Sequence, residues 1–222
     1  MSVRQIVVDD TDSRIVYLGS GWTQEHGSPV ANGPSGPVYE NTYHQLGGNG
    51  GLSFVFDGES TGPIQPRLNQ TPYSPGYNFN LYGTMQVDLD AMNNTDPSWD
   101  CFLDGSRIWG SNSFTPDELN ITIANNFALC ELPEHHDISI GSHKLTVNVT
   151  SNKRPFWLDQ ISFYPSPDHL LDNDTILIDC KDPAIQYSGE DWVDAQSGVA
   201  RVTDQPHATM RFNFTGISES VY

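Results

Sequence analysis

Positive charge is scarce in this sequence: Lys and Arg number 10 against 28 Asp and Glu, for a net charge of −18 at pH 7. A surface so anionic repels phosphate backbones and acidic lipid headgroups, which argues against nucleic acid as a partner. Long apolar runs are missing as well. Nowhere does the chain approach the roughly 18 apolar residues that a membrane-crossing helix requires. The opening "MSVRQIVVDD" also lacks the apolar core of a secretion signal. Sustained helical periodicity is absent, and "TPDELNITI" (115–123) allows one helical turn at most.

What is present is a series of short strand patterns. With 19 Gly and 15 Pro, the composition favours many turns. "QIVVDD" and "RIVYLG" are β-branched runs separated by an acidic turn. Residues 23–51 follow as a long loop or a weak strand pair. "LSFVFDG" sets Leu52, Phe54 and Phe56 on one face, and "TMQVDLD" does the same for Met85, Val87 and Leu89. "CFLDGSRIWG" predicts a tight hairpin at Asp104-Gly105, because a primed turn needs positive φ at its centre. "FALCEL", "HKLTVNVT" and "FWLDQISFY" complete a set of about eight strands. The fold class this predicts is all-β, a jelly-roll β-sandwich.

The chain then restarts. "IVVDDTDSRIVYLGSGW" (6–22) and "ILIDCKDPAIQYSGEDW" (176–192) align without a gap and share Asp9/Asp179, Asp12/Asp182, Ile15/Ile185, Tyr17/Tyr187, Gly19/Gly189 and Trp22/Trp192. "LSFVFDG" returns as "MRFNFTG" (210–216), the offset falling from 170 to 158. The expected organisation is a sandwich over 1–165, a linker over 166–175 and the incomplete start of a second sandwich over 176–222.

Six Asn-x-Ser/Thr sequons, at Asn69, Asn93, Asn120, Asn148, Asn173 and Asn213, point to an extracellular glycoprotein whose secretion signal is not in this sequence. In "KLTVNVT" and "MRFNFTG" the alternation turns Asn148 and Asn213 away from their apolar neighbours. Cys101 and Cys130 flank one block and are expected to form a disulfide, the alternative being two buried thiols. Cys180 has no counterpart in the first copy, where Asp10 stands, and is expected to be free.

"VVDDTDSRIVYLGSGW", "CFLDGSRI" with Cys130, "GSHKLTVNVT", "FWLDQISFYPSP" and the restart at Ile176 together resemble a mushroom-type (basidiomycete) fungal surface-protein family. The resemblance covers nearly the whole chain. It implies tandem galactose-binding-like β-sandwiches, followed in full-length members by a low-complexity stalk, one membrane helix and a cytoplasmic tail. It implies no specific activity, since one fold hosts many functions.

Several residue groups invite chemistry. Asp9, Asp10 and Asp12 lie between two strands and could donate oxygens to a structural calcium ion, or could cap the turn by accepting backbone N–H bonds. Trp99, in "NNTDPSWD", and Trp109, beyond the hairpin, are the tryptophans expected to be exposed enough to stack on a sugar. Trp22 recurs as Trp192 and reads as packing. Trp157 shares strand parity with Ile161 and Phe163 and reads as core, along with Asp159, which would then need hydrogen bonds. "GESTG" (58–62) matches a nucleophile-elbow pattern around Ser60, but the prolines that follow do not suit the helix it needs. "EHHD" (134–137) places His135 and His136 on opposite faces of any strand, a poor chelate. The function expected is a non-catalytic, extracellular or cell-surface binding ectodomain, with glycan or another surface protein as partner. A glycosylated spacer and a carbohydrate-active enzyme are the alternatives.

Overall fold

The computed structural model describes residues 4–29, 36–58, 79–86, 96–110, 123–132, 138–195 and 200–214. The sequons at Asn69, Asn93 and Asn120, Ser60 and the 134–137 cluster lie outside them. The chain is nearly all β, and the described residues divide into two compact units: 5–176, and Arg4 with the residues from 177 onward.

The first unit is a β-sandwich of antiparallel sheets. One sheet holds β1 (Gln5–Asp9), β3 (Trp22–His26), β4 (Thr42–Leu46), β6 (Phe79–Gln86), β9 (Ile123–Glu131), β11 (Phe156–Phe163) and β12 (Thr175–Leu177). The other runs β2-β5-β10-β7-β8, with β2 at Ile15–Leu18, β5 at Gly50–Gly58, β7 at Ser98–Leu103, β8 at Ser106–Ile108 and β10 at Gly141–Thr150. Strand β11 is the centre of the first sheet, pairing β1 and β4 along one edge and β6 along the other. The segment expected to be a loop or weak strand pair is the antiparallel pair β3–β4.

Alternation builds the core. Leu52, Phe54 and Phe56 of β5 and Leu145, Val147 and Val149 of β10 face Ile6, Val8, Phe79, Leu81, Ile161 and Phe163 of the opposite sheet, all buried. Rings meet across the gap, Phe56 lying 4.8 Å from Phe163 and 5.3 Å from Phe79. The strands approach closely where glycine allows it. A Cβ on Gly51 would stand 2.2 Å from the Val147 carbonyl oxygen. The hairpin at Asp104 and Gly105 takes φ of 51° and 79°, as its turn chemistry demands. The Cys101–Cys130 disulfide joins β7 to β9 and so stitches one sheet to the other, with both cysteines fully buried.

Two expectations need correcting. Trp157 is not core. The register of β11 shifts between Leu158 and Gln160, so Phe156 and Leu158 point inward before the shift and Ile161 and Phe163 after it. One extra residue reverses the parity, leaving Trp157 half-buried on the outer face with its indole N–H on Gln45 Oε1 at 3.0 Å. The segment 166–175, read as a linker, is anchored on the first unit. Ser166 donates through its N–H to the Asp57 carbonyl and through its hydroxyl to the Asp57 carboxylate, and Asp174 pairs with Arg14 at 3.2 Å.

The second unit holds two antiparallel pairs, β13 (Ile185–Ser188) with β16 (Thr209–Phe212) and β14 (Val193–Ala195) with β15 (Ala200–Val202). Their registers reproduce the first copy. Ile15↔Phe54 and Tyr17↔Leu52 become Ile185↔Phe212 and Tyr187↔Met210, the offsets read from the sequence.

Candidate functional site

The acidic opening turn is built by backbone demand. Asp9 accepts the Thr11 N–H and hydroxyl, and Asp12 accepts the Arg14 N–H at 2.8 Å together with its guanidinium. These are Asx turns, in which a short carboxylate satisfies donors that the reversing chain leaves unpaired. Asp10 points inward and is fully buried. Its Oδ2 meets His44 Nδ1 at 2.5 Å, its Oδ1 accepts the Thr42 hydroxyl at 2.7 Å, and its own carbonyl accepts the Tyr17 hydroxyl at 2.6 Å. The Tyr17 ring stacks on His44 at 4.2 Å. Among the described residues no group of three or more His, Cys, Asp or Glu side chains could hold a metal ion.

Asp159 lies at the bulge of β11 beside this cluster. Its Oδ1 accepts the Tyr39 N–H at 2.9 Å, while its Oδ2 is buried with no hydrogen-bond partner among the described residues. Burial pushes its carboxyl up to about 8, with Asp10 and Asp9 adding to the rise and the Tyr39 bond opposing it. Burial also raises Asp9. Close, perturbed acids are what acid–base catalysis uses, but Asp159 is fully buried and Asp10 is spent on His44 and Thr42.

The tryptophans separate. Trp99 is 5% exposed, on the inward parity of Cys101 and Leu103, with its indole N–H on the Leu129 carbonyl at 2.6 Å. Its ring packs edge-on against Phe156, so it cannot serve as a platform, contrary to expectation. The alternation W-D-C-F-L carried that signal, masked by the polar residues before it. Trp22 packs on Tyr17 and Phe156, as expected. Trp109 is half-buried and forms an isolated antiparallel bridge with Glu131.

That bridge places Trp109 at one end of a row across the outer face of the first sheet. Directly paired residues share a face at roughly 4.5–5.5 Å between Cβ atoms. The register therefore runs Trp109, Glu131, Asn80, Ser162, Val7 on one side. Tyr82 and Gln160 stand in the next outward row, both half-buried. Asn80 and Ser162 are only 4% and 2% exposed, and Asn80 Oδ1 has no hydrogen-bond partner among the described residues. Burial pushes the Glu131 carboxyl up to about 7. Burial, with the Glu131 charge next, pushes the Tyr82 phenol up to about 12, and the nearby Ser162 hydroxyl offsets part of that rise. Sequence reasoning reached Trp109 but missed Glu131, Asn80, Ser162 and Tyr82. The available signal was "FNLY", where Phe79 and Leu81 alternate with Asn80 and Tyr82.

Asn148, Asn173 and Asn213 are all exposed, Asn148 on the outer face of β10. Cys180 is not in a disulfide. No helix among the described residues is long and apolar enough to cross a membrane.

No protein-family model matches the chain, and no curated protein matches it. Among solved structures it is similar to the catalytic domain of a GH87 alpha-1,3-glucanase in complex with nigerose, at 11% identity and a TM-score of 0.35. It is also similar to a variant of that domain in complex with tetrasaccharides, at 11% identity and 0.36. These alignments cover 72% and 74% of this chain, which spans 28% and 29% of theirs. Similarity at that score says nothing about activity.

Proposed function

We propose that this chain is a non-catalytic binding ectodomain, extracellular or displayed at a cell surface, built on a galactose-binding-like jelly roll. The observation that carries this reading is the placement of the sequons. All three that fall on described residues present an exposed asparagine, Asn148 standing on β10 between the buried Val147 and Val149. A buried disulfide joining the sheets suits the same oxidising compartment. The described acids hold turns and histidines in place, with Asp96 capping Asn152 and Lys153, and Asp104 pairing with His143 at 2.7 Å. That pattern supports a scaffold more than a catalytic pair.

The test is expression through a eukaryotic secretory pathway, followed by glycopeptide mapping and a screen on glycan and surface-protein arrays. Occupied Asn148, Asn173 and Asn213 with at least one array partner is the expected result. Occupied sites with no partner would leave a glycosylated spacer. Unoccupied sites in secreted protein would remove the basis of the reading.

A further inference from the structure

The outer face of the β2-β5-β10-β7-β8 sheet holds exposed apolar side chains beside a sequon. Val16 and Leu18 are successive outward residues of β2, 52% and 43% exposed, and Val55 on β5 is 53% exposed. Val16 pairs with Ser53, two residues from Val55, so the three side chains are neighbours on one face. Apolar residues exposed singly need no account, but adjacent ones form a surface that gains from a cover.

Register puts the sequon in the same row. Leu18 pairs with Gly51, and Gly51 with Asn148, across β2, β5 and β10. Gly51 contributes no side chain, so Leu18 and Asn148 carry the successive side chains of that row, two strand spacings or roughly 9–10 Å apart. Asn148 and Thr150, which completes the sequon, are both exposed. On its other flank Asn148 pairs with Asp100, whose carboxylate holds Arg107, and the half-buried Phe102 stands in the next row. A sugar laid on that side would displace an ion pair, whereas on the β2 side it meets Leu18 and Val16.

We infer that the surface around Leu18 and Val16 is the docking site of the chain's own N-glycan on Asn148. The first two N-acetylglucosamine rings reach from Asn148 past Gly51 and rest on these two side chains. The inference rests on the binding-ectodomain reading, in which Asn148 is occupied, and gives one glycan a structural task. Each ring is neutral, with a C–H face and an acetyl methyl for the apolar patch and hydroxyls left in water. The tether makes the contact intramolecular, so a weak interaction is enough to populate it. A glycan rising from Asn148 also stands in the path of a protein partner, which favours the glycan over a second copy as the cover.

The experiment is NMR on the secreted full chain with carbon-13 in its methyl groups and glycans, comparing the sugars on Asn148, Asn173 and Asn213. Nuclear Overhauser contacts should run from the first two rings on Asn148 to the Leu18 and Val16 methyls, with broader sugar lines there than at the other two sites. Thr150→Ala, which abolishes the sequon and keeps Asn148, should lower the melting temperature by about 2–4 °C. Leu18→Ser should free the Asn148 glycan without altering its occupancy. It should add little to the loss in the Thr150→Ala background, as coupled positions do. If either variant is not secreted, enzymatic trimming of the wild-type glycan to its first sugar should reproduce part of the loss. Lines at Asn148 as narrow as at the other sites, or contacts to Phe102 in place of Leu18, would overturn the inference and leave the ectodomain reading intact. An unoccupied Asn148 beside occupied Asn173 and Asn213 would do the same, whereas three unoccupied sites would remove that reading as well. Self-association of the glycosylated chain that Leu18→Ser abolishes would assign the patch to a second copy and overturn the glycan as its cover.

Discussion

The two copies of the opening motif form the same local structure in different surroundings. In both, a tyrosine hydroxyl donates to the carbonyl seven residues back, Tyr17 to Asp10 at 2.6 Å and Tyr187 to Cys180 at 2.7 Å. In both, the indole N–H returns to the carbonyl four residues earlier at 3.2 Å, and tyrosine and tryptophan rings sit 4.7 Å apart. The Asx turns recur at Asp179 and Asp182. The interior differs. Asp10 paired with His44 gives way to Cys180, and Arg201, at the position matching His44, lies 4.7 Å over the Tyr187 ring. Leu52 is fully buried, whereas its counterpart Met210 is 45% exposed. The motif is thus written in local hydrogen bonds, which survive without a facing sheet. Burial comes from strands β10 and β11, which have no counterparts among the described residues of the second unit.

The largest expected contrast lies in the matched phenylalanines. Phe54→Ala should destabilise the first unit by about 3–5 kcal/mol, as large-to-small core changes do. Phe212→Ala, on the half-buried counterpart, should cost under about 1 kcal/mol. Urea melts followed by hydrogen exchange would resolve the two. Equal costs would mean that the second unit has a core of its own.

Next is the inter-sheet disulfide. Its closed loop spans 29 residues, for which chain entropy gives roughly 3–4 kcal/mol. Reduction, or Cys101→Ala with Cys130→Ala, should lower the melting temperature of the first unit and leave exchange in 177–214 unchanged.

Asp159 gives a pH-dependent difference. Its folded carboxyl titrates near 8, against about 4 in an unfolded chain. Between those values the folded state holds a proton that the unfolded state has released, so stability falls as pH rises through the window and levels off above it. Asp159→Asn keeps the acceptor for the Tyr39 N–H and removes the titration. The variant should gain on the wild type, by up to about 5 kcal/mol, between pH 4 and pH 9. Parallel stability–pH curves for the two proteins would rule this out.

The smallest effect is Tyr17→Phe, which removes one hydrogen bond to a backbone carbonyl and should cost about 1–2 kcal/mol. Tyr187→Phe should cost less, because water can replace the bond in the more open copy. Both are measurable as shifts in denaturation midpoint at constant slope.

Much of the fold was legible because alternation with period two marks which face of a strand is buried. Leu52, Phe54 and Phe56 turned inward as read, and the offsets of 170 and 158 reappear as strand register. A bulge is where such reading fails, since one inserted residue at Asp159 reversed the parity of Trp157. The candidate site was less legible still. Glu131, Asn80 and Ser162 are far apart in sequence and become neighbours only through the pairing of β6, β9 and β11. Trp109 reached the row through a single bridge that no periodicity encodes.

The pairing of β1 with β11 has a kinetic side. Val8 sits opposite Ile161, so an early strand of this unit waits for one of the last. At about 5–20 residues per second, some 150 residues of delay amount to roughly 8–30 s. Throughout that interval Ile6 and Val8 have no sheet to enter, and such distant pairings are slow to close even when both strands are available. Production of this protein should therefore be limited by how well a cell shields an early, apolar strand from other chains, and synthesis that shortens the wait should raise the soluble yield more than any single core substitution.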